Sequence, residues 1–176
     1  DVEAATENGI VVTNVPEYAT HAVVELVYGF IFSILRKLKK ADSVVRTGWT
    51  KEGLLGRELF GKTLGVIGAG NIGRKVAKIG AAFGADILVY DYSGRSELAE
   101  KAGGKLVDLE ELLTESDIVS VHVPLKDATQ GLIGEKEIDM MKEQAILINA
   151  ARGPIVKKEP LLKALKEDKI TAGLDV

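Results

Sequence analysis

Apolar residues in the second half of the chain come in short unbroken runs, not in alternation with polar ones. The runs are Thr63–Ile67, Asp86–Tyr90, Lys105–Val107, Ile118–Val123, Ala145–Asn149 and Ile170–Val176. Stretches such as LGVI, ILVY, IVSVHV and AILIN are apolar on both faces of an extended chain. Such strands suit a parallel sheet, because helices cover it on both sides. Helical spacing between the runs predicts helices over Asn71–Phe83, Glu97–Ala102, Leu109–Thr114, Glu135–Met141 and Glu159–Glu167. Strand and helix thus alternate from Thr63 to the last residue, the pattern of a doubly wound parallel α/β fold.

The first third reads differently. Gly9–Asn14, GIVVTN, has the β-branched composition of a short strand that Pro16 would end. A long helix is expected from Ala19 to Val45, basic at Arg36-Lys37 and Lys39-Lys40 and closed by Gly48. Trp49–Phe60 reads as an irregular connection. Within the long helix, AVVELVYGFIFSIL (Ala22–Leu35) is almost wholly apolar. It falls short of the roughly 20 residues that span a bilayer and contains Glu25, so it predicts a buried or subunit-facing helix. Residues 1–17 are expected to be a strand and crossover from a separate domain, and residues 18–176 the sheet domain, truncated at its C-terminal side.

Composition narrows the function classes. With 46% hydrophobic residues and a net charge of −3, the chain can build a core but offers no basic stripe for nucleic acid. Without cysteine there is no disulfide and no cysteine-based metal site, and no metal is expected. The opening DVEAATENGI lacks the charged and apolar regions of a signal peptide, and it lacks an initial Met, as in a trimmed chain. A cytoplasmic protein with no membrane partner is the expectation.

Gly68-Ala69-Gly70-Asn71-Ile72-Gly73 is a G-x-G-x-x-G directly after one predicted strand and at the start of a helix. In that context Gly68 allows the tight turn, Gly70 lets the backbone approach a diphosphate, and Gly73 lets the helix pack on the sheet. The free amides and the macrodipole of the helix then favour the negative ligand. Asp91 ends the next strand, eighteen residues beyond Gly73, where a carboxylate accepts the hydroxyls of the adenosine ribose. It would repel a 2′-phosphate, so NAD is expected over NADP, although Arg95 stands close enough in sequence to keep the question open. The fold is therefore of the NAD(P)-binding Rossmann kind.

Ligands in such folds gather beyond the carboxyl ends of the strands. His122 lies near one end and reads more readily as a packed histidine than as a proton donor, since no acid partner is evident. His21 and Glu25 share a helical face and read as a local structural pair. Arg152, just past AILIN among small residues, could hold a carboxylate with two parallel hydrogen bonds or polarise a carbonyl, or equally form a surface ion pair. Asp175, at the end of ITAGLDV, is placed to meet a nicotinamide amide.

These residues resemble the D-isomer-specific 2-hydroxyacid dehydrogenases, especially the phosphoglycerate dehydrogenase-like ones. The resemblance covers the whole chain, through DVEAATENGIVVTNVP, LFGKTLGVIGAGNIGRKVAKIGAAFGADILVYD, SDIVSVHVPLKDATQGLIGEKEIDMMK, AILINAARGPIV and KITAGLDV. It implies that Arg152 binds the carboxylate and carbonyl of a small 2-hydroxy or 2-oxo acid. It implies further that Asn71 and Ile72 flank the diphosphate, Asp91 holds the ribose, Val123 and Pro124 line the cleft, Ala150 and Ala151 offer backbone contacts, and Asp175 meets the carboxamide. A homodimer through the helix of residues 19–45 is implied as well. The family's catalytic glutamate and histidine are expected beyond Val176 and its substrate-binding glycine loop before Asp1, so this piece should bind NAD with negligible turnover. Lys157-Lys158, where the family usually has an acid, and Pro160 depart from the pattern. A non-enzymatic NAD(H)-sensing corepressor-like protein is the alternative, because it would share these motifs.

Overall fold

A computed structural model describes residues 1–176 apart from Pro16, Trp49, 93–95 and Ala102, with the backbone alone at 96–98. Three helices come first: α1 (Val2–Glu7), α2 (Thr20–Leu35) and α3 (Leu38–Thr47). The alternating part then runs β1 (Thr63–Ile67), α4 (Asn71–Ala82), β2 (Asp86–Tyr90), α5 (Ser96–Lys101), β3 (Lys105–Leu106), α6 (Leu109–Glu115) and β4 (Ile118–Val121). It ends with α7 (Glu135–Met140), β5 (Ala145–Asn149), a single 3₁₀ turn at Gly153–Ile155, α8 (Lys158–Lys166) and β6 (Ile170–Leu174). Among the described residues the strands form one six-stranded sheet in the order β3-β2-β1-β4-β5-β6, with every pairing parallel. The order reverses between β1 and β4, which makes that gap the switch point where such a sheet opens a crevice.

Each face of the sheet carries its own apolar layer. On one face, Val27 and Ile31 of α2 and Val76 of α4 pack over Leu64, Val66 and Ile148. On the other, Leu112 and Leu113 of α6, Ile138 of α7 and Leu161 of α8 pack over Ile67 and Leu147. Tyr28 ties α2 to α4 through its hydroxyl, which donates to the Val76 carbonyl at 2.5 Å. Burial pushes the Tyr28 phenol well above its ordinary range, so it stays a donor.

Three expectations for the first third need correction. Residues 9–14 form no strand: Ile10, Val11 and Val12 are 55–86% exposed, and the Ile10 amide donates back to the Ala5 carbonyl of α1 at 2.8 Å. A β-branched run favours a strand only where another strand takes its backbone groups, and the sheet edges here are β3 and β6. In the place of an opening strand stands α1, capped by the Asp1 side chain, which accepts from the Ala4 amide at 3.1 Å.

The helix expected over residues 19–45 is two helices. Lys37 takes a left-handed φ of 52°, and the Leu35 carbonyl at the end of α2 accepts instead from the Arg57 amide at 2.8 Å. Burial explains which half is anchored. Val24, Val27, Ile31 and Leu35 are buried along α2, at about 1.5–3 kcal/mol each, whereas α3 buries nothing. Lastly, His21 does not pair with Glu25 but meets Lys75 Nζ of α4 through its Nε2 at 3.1 Å. Among the described residues no helix is long and apolar enough to cross a membrane.

Candidate cofactor and substrate site

Register places the strand ends side by side. Tyr90 pairs with Ile67, Ile67 with Val121, Val121 with Asn149, and Asn149 with Leu174. The next residue on each strand is therefore Asp91, Gly68, His122, Ala150 or Asp175, all on one edge. Strands lie about 4.8 Å apart, so Asp91 and Asp175, four strand spacings from one another, bracket a cleft of roughly 19 Å.

At its centre the chain leaves β1 through Gly68, whose φ is +99° and whose amide donates to the Tyr90 carbonyl at 2.7 Å. A Cβ there would lie 2.8 Å from the His122 carbonyl oxygen and 2.9 Å from Val123 Cγ1. A Cβ on Gly73 would run into the Gly68 carbonyl oxygen, whereas one on Gly70 would meet nothing within 4 Å. Two glycines are thus required by backbone packing, and the third faces open space at the helix start. Gly70 caps α4 in an extended conformation, and the amides of residues 71–73 have no acceptor within the helix. Ile72 turns inward against the apolar layer under α4.

Asp91 Oδ2 accepts from the Ala69 amide at 2.9 Å, which fixes the carboxylate beside the glycine turn. Bare amides, open room at Gly70 and an acid at the neighbouring strand together fit a dinucleotide. Arg95, which left the NADP question open, lies outside the described residues.

Beyond β4, His122 is half-buried with Nε2 2.8 Å from Ser120 Oγ, and desolvation pulls its pKa down to about 4. It is neutral at neutral pH and suits the packed reading. Val123 is buried against Gly68, while Pro124 is exposed and its carbonyl accepts from Thr129 Oγ1 at 2.6 Å.

Beyond β5 the loop is built by a residue that sequence reasoning missed. Asn149 is 1% exposed; its Nδ2 donates to the Arg152 carbonyl at 3.0 Å and its Oδ1 accepts from the Ala151 amide at 3.1 Å. Its own carbonyl accepts from the Asp175 amide at 3.1 Å, so one buried amide side chain and its backbone join the two loops. The available signal was a polar residue ending an otherwise apolar run. Ala150 and Ala151 are half-buried, and Arg152 and Asp175 are exposed, with Arg152 Nη1 donating to the Ala151 carbonyl at 2.6 Å.

The family profile described as D-isomer specific 2-hydroxyacid dehydrogenase, NAD binding domain, matches residues 28–176. The chain belongs to that family. It is 46% identical to a glyoxylate reductase of Aeropyrum pernix, covering all of this chain and 55% of that protein. It is 44% identical to a D-3-phosphoglycerate dehydrogenase of Methanocaldococcus jannaschii, covering all of this chain and 34% of the relative. Among solved structures, a D-lactate dehydrogenase of Aquifex aeolicus complexed with NAD and lactic acid superposes with a TM-score of 0.89 at 40% identity. That match covers all of this chain and 54% of the neighbour. The chain spans about half the length of the glyoxylate reductases it matches.

Proposed function

We propose that this chain is the cofactor domain of an NAD-dependent oxidoreductase acting on small 2-hydroxy and 2-oxo acids. The observation that carries it is one edge of strand ends holding the glycine turn, Asp91 and Arg152, in a member of this family. Relatives named for glyoxylate, phosphoglycerate and lactate chemistry favour a substrate with a carboxylate next to the reacting carbon. They leave the corepressor-like alternative without support.

Gly68, Gly70, Asn71, Ile72 and Gly73 would hold the diphosphate. Asp91 would accept the ribose hydroxyls and disfavour a 2′-phosphate. Val123 and Pro124 would line the cleft, Ala150 and Ala151 would offer backbone groups, and Asp175 would meet the carboxamide. NAD, when bound, supplies or accepts the hydride. Arg152 orients the acid by its carboxylate and stabilises negative charge on the 2-oxygen, since guanidinium stays charged and forks onto carboxylates. His122 is a poor proton donor because it is neutral and turned to Ser120. The proton is exchanged instead by the histidine that the family resemblance implies beyond Val176, oriented by a glutamate.

Residues 1–17 serve as the link to a substrate domain, although not as a strand. A cytoplasmic homodimer forms through α2, whose Ala22, Leu26 and Gly29 make a small apolar stripe away from the sheet. Neither nucleic acid nor membrane is a partner.

The test is a longer protein carrying this domain, assayed for NADH oxidation with a panel of 2-oxo acids. At least one should turn over, and Arg152→Ala should cut kcat/KM by roughly 150-fold, the loss of a bidentate charged contact worth about 3 kcal/mol. Turnover of none, with saturable NAD binding intact, would defeat the enzymatic part.

A further inference from the structure

The outer side of the glycine turn carries a side-chain network that the reading so far does not use. Side chains on a helix lean toward its N-terminus, so Arg74, in the first turn of α4, reaches back over the helix start. Its Nη2 donates to Asn71 Oδ1 at 2.8 Å, and its Nε lies 3.4 Å from the Gly70 carbonyl oxygen. Asn71 Nδ2 in turn donates to Glu17 Oε1 at 2.7 Å. Glu17 comes from the segment before α2, fifty-four residues away, and sits at a left-handed φ of 63°. Glu17 and Asn71 are exposed and Arg74 is half-buried, all at the helix start whose first amides have no acceptor within the helix.

Charge makes this arrangement informative. A cation at a helix N-terminus faces the positive end of the macrodipole and is unfavourable there unless an anion accompanies it. In the structure that anion is the Glu17 carboxylate, linked to the guanidinium through the Asn71 amide. Glu17 thereby stands one side chain away from the helix start at which a diphosphate would dock, and two anions brought together there repel.

Resting on the NAD reading of the turn, we propose that Arg74, steered by Asn71, is the side-chain cation for the cofactor's diphosphate, and that Glu17 is an internal anion which the diphosphate displaces. Asn71 is uncharged and supplies no counter-charge of its own; the guanidinium one turn on does. Because Glu17 lies in the segment proposed to link the domains, its release on cofactor binding would also free that link from the turn.

Calorimetry of the chain with NAD tests this at about 50 mM and about 500 mM salt. Arg74→Gln should weaken binding about tenfold at low salt, the loss of one charged hydrogen-bonding partner, and the gap should narrow at high salt. Arg74→Lys should recover part of the loss. Glu17→Gln should tighten binding about threefold at low salt, by relieving a like-charge contact. A melting curve accompanies each titration, because Arg74 is half-buried and hydrogen-bonded, so that affinities are compared on folded chains. Binding by Arg74→Gln within twofold of the unaltered chain at low salt would overturn the proposal and leave the NAD reading standing. Weaker binding by Glu17→Gln would overturn it too, by making Glu17 a ligand and not a competitor. If the unaltered chain shows no saturable NAD binding, the reading of the turn fails and the proposal falls with it.

Discussion

Replacing Asp91 with alanine removes the carboxylate that the Ala69 amide holds beside the glycine turn. Oδ2 accepts the Ala69 amide at 2.9 Å, which holds the carboxylate at the end of β2 beside the turn. In the bound state the two ribose hydroxyls of the adenosine would donate to this acid. Hydrogen bonds to a charged acceptor are worth about 1.5–3 kcal/mol each, but one oxygen is already shared with Ala69. Taking the low end for both hydroxyls gives about 3 kcal/mol, a loss of roughly 150-fold in affinity for NAD. Asp91→Asn keeps an oxygen for Ala69 while losing the charge, so it should lose about tenfold. Titration calorimetry with NAD measures both. Alanine also leaves the Ala69 amide unpaired at a cost of about 1–3 kcal/mol in stability, which asparagine spares, so a melting curve accompanies each titration. If Asp91→Ala binds NAD within about threefold of the unaltered chain while still folded, the ribose assignment is wrong.

Other perturbations test different links of the argument. Gly73→Ala drives a Cβ into the Gly68 carbonyl oxygen, so the turn must open; a loss of about 1–3 kcal/mol in a urea melt and loss of NAD binding are expected, and an unchanged melt would contradict the packing. Ser116→Ala should raise stability by up to about 1 kcal/mol, because Ser116 Oγ is buried with no hydrogen-bond partner among the described residues. A lower melting temperature would mean that the hydroxyl is satisfied after all.

His122 should make stability depend on pH. Its pKa falls from 6.5 to about 4 on folding, so its contribution is full above pH 6.5 and is lost as pH drops toward 4, by roughly 3 kcal/mol at most. Melts at several pH values should show His122→Asn flattening that slope, and an equally steep slope in the variant would assign it to other groups. Leu26→Glu places a charge on the outer stripe of α2 and should convert the proposed dimer to monomer in light scattering of a longer protein. An unchanged dimer would move the interface elsewhere.

Much of this protein was determined locally and so could be read from the sequence. Strands β1, β2, β4 and β5 are apolar on both faces because both faces are covered, and their runs stand out without knowledge of any partner. The glycine turn and Asp91 were legible for the same reason: spacing from a strand end is a short-range quantity. What only the tertiary structure decided rests on groups distant in sequence. Residues 9–14 have strand composition but no neighbouring edge to pair with, and propensity without a hydrogen-bonding partner builds nothing. The helix breaks at Lys37 where Arg57 takes the last carbonyl of α2, and the Glu17–Asn71–Arg74 network needs the chain folded to bring residue 17 to residue 71. Asn149 could be seen as a polar end to an apolar run, but the bond that its carbonyl accepts from the Asp175 amide exists only when β5 and β6 lie side by side. Periodicity reports which face of a segment is buried; which other segment buries it, and which backbone groups are then left to pair, is settled by the packed chain.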